Sequence, residues 1–258
     1  MSASTPSIFS AIRGMWTLTW RSRLTWKRLY QVLSGMLSIP IFSAIVLEPG
    51  QQEGFYRIII DLYFFIVLPI LCLNHFGAMI RDELQEDTMT FLITRPVSRS
   101  RVFLIKYITH SLWLQLSLLG NGLAFGLVGF YLQVPDLVAL ISHLIVVQML
   151  AAIAYGALSS LLGLITQKFL VAGVVYGFIV EFGIGQIPTN INVLSISRHM
   201  QTLLAQNESL QTLHQWSVEG APFSLGMVMG GTVLFLTFGA LLFTFREYHH
   251  TDEMQKGA

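Results

Sequence analysis

Arg81–Tyr107 reads RDELQEDTMTFLITRPVSRSRVFLIKY and lies between two strongly apolar runs, Ile58–Ile80 and Val102–Tyr131. Its first half is acidic and its second half basic. Asp82, Glu83, Glu86 and Asp87 fall at i, i+1, i+4 and i+5, so a helix presents all four on one side. Leu84, Phe91 and Leu92 give that helix apolar contacts elsewhere. Pro96 disfavours helix at Arg95 and closes the segment. Ser98 or Ser100 can cap the next helix. Arg99, Arg101 and Lys106 then stand where they can meet lipid phosphates. The expected structure is a short amphipathic helix, a break, and re-entry into an apolar environment.

Outward from this loop the chain reads as a membrane protein. Of its 258 residues 53% are hydrophobic and 11% charged, against about 25% charged in soluble domains. The mean hydropathy is +0.63. Lys+Arg 15 against Asp+Glu 14 gives a net charge of +1, which argues against a nucleic-acid partner, since that would favour a basic excess. The single cysteine, Cys72, cannot form an internal disulfide and reads as a small buried apolar side chain. Residues 1–28 are mixed in character, unlike a secretory signal, so the N-terminus is expected to be retained.

A bilayer core about 30 Å thick needs roughly 20 apolar residues as helix. Six runs qualify: Tyr30–Leu47, Ile58–Ile80, Val102–Tyr131, Leu137–Leu164, Phe169–Ile187 and Phe223–Phe245. The first is short and holds Pro40. The expected fold is an all-α polytopic membrane protein, one transmembrane domain over 1–258. Lys and Arg gather in residues 1–29, in the 81–101 loop, at Lys168 and in the 246–258 tail, whereas the opposite side receives Arg57 and Arg198. This asymmetry predicts six crossings of a cell membrane with both termini cytoplasmic. Ile8, Ile12, Met15, Trp16 and Trp20 recur at helical spacing beside Arg13, Arg21, Arg23, Lys27 and Arg28, the pattern of a helix lying in the interface.

The run Glu83-x-x-Glu86-Asp87-Thr88-Met89-x-x-Leu92-Ile93-Thr94-Arg95-Pro96-Val97-Ser98-Arg99, followed by Lys106-Tyr107, resembles the signature of ABC-2-type transporter permeases. Asp87 stands where that family usually has Gly. The six runs, the N-terminal helix and the long segment before the last run extend the resemblance to nearly the whole chain. It implies that the loop is a coupling helix docking a separate P-loop ATPase subunit through Asp82, Glu83, Leu84, Glu86, Asp87, Thr88, Phe91 and Leu92. Arg95, Pro96, Ser98 and Arg99 would form the turn behind it. It further implies ATP and Mg bound by that partner rather than by this chain, and a second permease copy, identical or related. The activity implied is export of a substrate that the sequence does not identify. Two alternatives remain open: a relay that passes ATP-driven motion to an extracytoplasmic partner, and a membrane scaffold with no transport cycle.

No lysine follows a glycine, so G-x-x-x-x-G-K-[ST] is absent from the chain. None of the seven histidines forms H-E-x-x-H, and G-x-S-x-G is missing. An enzyme is therefore not expected, nor a metal or cofactor site. Charged groups deep in a bilayer cost about 2.5–3.5 kcal/mol on insertion scales, which draws attention to Glu181, roughly 20 Å along its run from Lys168 at about 1.5 Å per residue. Gly173 and Gly177 precede it as G-x-x-x-G, a spacing that lets helices approach. The trio reads as a dimer interface or a passage lining. In the resembling family the first and fifth spans commonly form the contact between halves. Gly226 and Gly230 repeat the spacing and read as packing within one subunit. Asp61 is expected to pair with Arg57. Asn74, Asn121, His143 and Gln148 are further pathway candidates. In the outer segment 188–222, Leu203, Leu204, Leu210 and Leu213 suggest a short helix pair on or dipping into the membrane, which in ABC-2 permeases often closes the outer end of the passage. The sequon Asn207-Glu208-Ser209 is discounted, as the composition gives no sign of a eukaryotic secretory route.

Overall fold

The computed structural model describes residues 9–10, 13–14, 16–17, 37–85, 98–186, 190–216 and 220–245. Among these all regular structure is helical and no strand occurs. Helix α1 is Leu37–Val46. Helix α2 runs without a break through Gln52–Arg57, a π-helical stretch Ile58–Val67, and Leu68–Gln85. Helices α3 (Arg99–Tyr131) and α4 (Leu137–Ile165) follow. Helix α5 is Phe169–Gly183, its second half Gly177–Gly183 again π-helical. Two short helices, α6 (Ile196–Leu204) and α7 (Glu208–His214), precede α8 (Ala221–Phe245).

Four of these are long and apolar enough to cross a membrane: Gln52–Met79 within α2, α3, α4 and α8. Helices α1 and α5 are shorter than the roughly 20 residues a crossing needs. Residues 30–36 and 187, parts of those two expected runs, lie outside the described residues, as does the 246–258 tail. Of the expected N-terminal helix, Phe9, Ser10, Arg13, Gly14, Trp16 and Thr17 are described and helical.

The chain turns from α3 to α4 by a helix ending that needs a left-handed residue. Gln133 has φ 58°; the Val134 N–H bonds Gly129 O at 3.0 Å and the Gln133 N–H bonds Phe130 O at 3.2 Å. This is the 6→1 and 5→2 pairing that satisfies orphan carbonyls at a helix C-terminus. Gln52 Nε2 also donates to Gln133 O at 3.3 Å, so the start of α2 is tied to the same turn.

The core lies between α2, α3 and α4 and is aromatic. Phe55, Phe64 and Phe125 are almost fully buried, and Tyr63 sits 5.0 Å from Phe125 between ring centroids. Close approach of α2 and α4 is set by glycine. A Cβ on Gly163 would meet the Gly77 carbonyl oxygen, and one on Gly156 would meet the Phe76 ring at 2.6 Å. Small residues at such crossings bring backbones into contact. The expected packing role of Gly226 and Gly230 is corrected here: a Cβ on either would meet nothing within 4 Å. They lie on a face of α8 that leaves Leu225, Met229 and Val233 exposed.

The expected Arg57–Asp61 pair is corrected too. Arg57 instead pairs with Glu53 at 2.8 Å. Arg57 and Glu53 share the regular turn before the π stretch, whereas Asp61 lies inside it. There the ladder runs i→i+5 and the i,i+4 alignment is lost.

Candidate functional site

Polar chemistry concentrates at the two ends of the bundle. At the first end α2 finishes and α3 begins. The backbone of Asp82, Glu83 and Leu84 continues α2 as helix. Glu86, Asp87, Thr88, Phe91, Leu92, Arg95 and Pro96 lie outside the described residues. Ser98 occupies the N-cap position of α3 with extended backbone, but its side chain makes no capping bond. The Val102 N–H reaches the Ser98 carbonyl at 3.2 Å instead.

Basic residues after the loop divide by environment. Arg101 is exposed. Arg99 Nη1 donates to Thr244 O on α8 at 3.4 Å. Lys106, expected to meet lipid phosphates, is buried, and its Nζ donates to Met79 O on α2 at 3.1 Å. The correction has a simple cause: Lys106 falls on the α3 face that packs toward α2 and α4, with Tyr107 beside it donating to Ile153 O at 2.7 Å. Phe103 fills the place of a side chain over Gly239 and packs on Phe243. The first turns of α3 are thereby fixed to α2, α4 and α8 together.

At the second end α6 lies across the termini of the long helices. Glu181 on α5 is buried, and its carboxylate points at the N-terminus of α6. Ser195 Oγ donates to Oε2 at 2.7 Å, the Ser197 N–H to Oε2 at 2.8 Å and the Ile196 N–H to Oε1 at 3.3 Å. Ser195 is the N-cap and accepts from the Arg198 N–H at 3.2 Å. With the Ser195 N–H on Asn192 O at 3.0 Å, all four unpaired N–H groups of the first turn are satisfied, two by a carboxylate from another helix, and the negative charge sits at the positive end of the helix dipole. Near the other terminus of α6, His143 Nε2 on α4 donates to Leu203 O at 3.0 Å. His199, within α6, donates from Nε2 to Val193 O at 2.8 Å, and its Nδ1 accepts from Ser224 Oγ on α8 at 3.2 Å.

Gly173, Gly177 and Glu181 do not share one environment. A Cβ on Gly173 would meet Leu73 of α2, whereas Gly177 faces open space. Leu170, Val171, Val174, Val175 and Phe178 around them are exposed. Of the other polar candidates, Asn74 is exposed. Gln148 is buried; its Oε1 accepts from the Tyr63 hydroxyl at 3.0 Å and its Nε2 donates to Leu118 O at 3.0 Å. Asn121 is buried beside Tyr63 without a hydrogen bond of normal length. A small cavity of about 10 Å³ whose lining includes Tyr63, Gly122 and Gln148 is at the lower limit for a single water.

Near α7 the His214 ring stacks on Trp216 at 4.3 Å between centroids, and Trp216 meets the edge of Phe65 on α2 at 5.9 Å. Burial lowers the His214 pKa; Asp61 pushes it up and Arg57 pushes it down. Among the described residues no cluster of three or more His, Cys, Asp or Glu could hold a metal ion.

Sequence reasoning missed Ser195, Ser197, His199 and Ser224. Ser195 carried a local signal, a serine directly before an apolar periodic segment. The others carried none, since their partners are distant. No curated protein matches the chain. A family model described as ABC-2 family transporter protein matches residues 18–187, more than half of the chain.

Proposed function

The chain belongs to the ABC-2 family of transporter proteins, and from that premise we propose that it is the membrane half of an exporter powered by a separate ATPase subunit. It is a multi-pass membrane protein and a transport component. In the proposed assembly α1 and α5 complete six crossings, and the termini and the α2–α3 loop face the cytoplasm. The Lys/Arg asymmetry supports that orientation in a cell membrane. Two copies meet through the α1 and α5 faces, where Gly177 and the exposed Val174 and Phe178 leave room for a partner.

The observation that carries the reading is the anchoring of α3, the helix that follows the acid-rich loop in the chain. The loop joins α2 to α3, and α3 is tied to α2 by Lys106 and to α8 by Arg99. A force applied to Asp82, Glu83, Leu84, Glu86, Asp87, Thr88, Phe91 and Leu92 would reach three long helices at once. Arg95, Pro96, Ser98 and Arg99 would limit play between the docking segment and α3. ATP and Mg would be held by the partner subunit; the sequence of this chain has no G-x-x-x-x-G-K-[ST] motif.

The test is affinity purification of the tagged chain in mild detergent beside the Glu83→Lys, Glu86→Lys double variant. The expected result is a stoichiometric P-loop ATPase with the parent chain, reduced at least about tenfold in the variant, because reversed charges meet like charge across the interface. Monodisperse protein that brings no ATPase in either form would overturn the reading.

A further inference from the structure

The turn from α3 to α4 carries groups that the transporter reading leaves unused. Phe130, Tyr131, Gln133, Asp136 and Val138 border an open cleft of about 1040 Å³, and all five are exposed. No Lys or Arg lines it. Asp136 takes the N-cap position of α4, yet its side chain makes no capping bond. Glu48 is a second exposed carboxylate at this end. Its loop is drawn against the turn by the Gly50 N–H on Leu132 O at 3.3 Å and by Gln52 Nε2 on Gln133 O. Arg57, in the first turns of α2, is taken by Glu53. Asp136 and Glu48 have no ion pair among the described residues. The apolar exposure beside the cleft has a direction. Leu123, Leu127 and Phe130 stand at i, i+4 and i+7 on one face of α3, and all are exposed. They form a track that runs from within the span up to the cleft.

We propose that this cleft holds the headgroup of a zwitterionic phospholipid with a primary ammonium, its acyl chain lying along Phe130, Leu127 and Leu123. The ammonium donates to the Asp136 carboxylate, a charge-assisted hydrogen bond, and Glu48 adds to the negative field. The phosphate accepts from the Tyr131 hydroxyl and the Gln133 side-chain amide. Neutral donors suit a phosphate whose charge is balanced within its own headgroup. Sites for anionic lipids are built from Lys and Arg, and the carboxylates here repel such heads. A soluble partner would cover the cleft and leave the track bare, whereas a lipid covers both. The proposal uses only the bundle and a bilayer, so it stands apart from the transporter reading.

The test is native mass spectrometry of the full tagged chain, stripped of lipid in mild detergent and titrated with phosphatidylethanolamine, phosphatidylcholine or phosphatidylglycerol of matched acyl chains. The parent chain is expected to hold phosphatidylethanolamine about tenfold more tightly than phosphatidylglycerol, the effect of one hydrogen bond to a charged group. Phosphatidylcholine has the positive charge but no N–H to donate, and is expected to fall between them. Asp136→Asn removes the charge while keeping a side chain that tolerates the left-handed backbone at φ 48°. It is expected to weaken phosphatidylethanolamine about five- to tenfold and to leave the melting midpoint unchanged, which guards against a folding defect. Leu127→Ala with Phe130→Ala is expected to weaken all three lipids alike.

Equal retention of the three lipids by the parent chain would show an adventitious apolar coat and overturn the headgroup assignment. A preference for phosphatidylglycerol would overturn it as well. Phosphatidylcholine held as tightly as phosphatidylethanolamine would overturn the primary ammonium. Unchanged binding in Asp136→Asn would remove the carboxylate from the site, and unchanged binding in the double alanine variant would remove the acyl track. None of these outcomes depends on whether an ATPase co-purifies.

Discussion

At the loop end of the bundle the helices are held by backbone proximity and long side chains. Gly163 lies on Gly77, Lys106 reaches across to Met79 and Arg99 to Thr244. At the α6 end they are held through a short helix whose terminal N–H and C=O groups are taken up by Glu181 and His143. Direct packing leaves little room for one helix to slide on another, because a misfit there is a clash. A hydrogen bond to a helix terminus can break and re-form as a unit. On that ground the loop end is expected to move as one body, whereas the α6 end is held by hydrogen bonds from α4, α5 and α8.

The sharpest way to break this contrast is to spoil the close packing. Gly163→Val would drive a branched side chain into the Gly77 carbonyl, a backbone atom that cannot rotate away. The expected cost is at the upper end of the 1–3 kcal/mol typical of overpacking, about 3 kcal/mol. Thermal melting in detergent would show it as a large fall in midpoint or a loss of monodisperse protein. Gly230→Ala, in open space, should change the midpoint little. If the two variants behave alike, the loop end is not held as described.

At the α6 end a smaller loss is expected and a local one. His199→Ala removes a donor to Val193 O and an acceptor for Ser224, at about 1 kcal/mol for each bond and thus about 2 kcal/mol together. Hydrogen exchange should rise across Ile196–Leu204 and remain unchanged in the buried turns of α4. Loss of protection spreading through α2 and α4 would mean that the two ends are one cooperative unit.

The two ends were not equally legible in the sequence. The loop's signals (acidic spacing, a proline, a basic re-entry) are local, but of that reading only the helical backbone of Asp82, Glu83 and Leu84 and the start of α3 at Arg99 fall among the described residues. The long apolar runs of α2, α3, α4 and α8 were legible because their signal, length and hydropathy, is local. The α6 end depends on pairs far apart in the chain, Glu181 with Ser197 and His143 with Leu203, and half of each pair is a backbone group that any residue would supply. Glu181 could be recognised as costly in a membrane, but what relieves it could not. Lys106 shows the reverse failure. Its composition suggested the lipid surface, and only the helix face it occupies reveals that it points inward.

The smallest expected effect is one of pH, and it tells the two ends apart without disturbing either. Burial lowers the His214 pKa below its ordinary value of 6.5, so the packed state prefers the neutral ring. The unfolded or undocked chain then binds more protons between the two pKa values, and stability rises with pH in that window. The contribution of His214 is complete above about 6.5 and is lost as pH falls through the lowered value. Because the ring stacks on Trp216, acidification should change Trp216 fluorescence through that range, and His214→Phe should abolish the change. A titration equally present in His214→Phe would assign the effect to another group. A titration that also loosens the loop end, seen as faster exchange in the first turns of α3, would mean that the end expected to move as one body is coupled to the docking of α7.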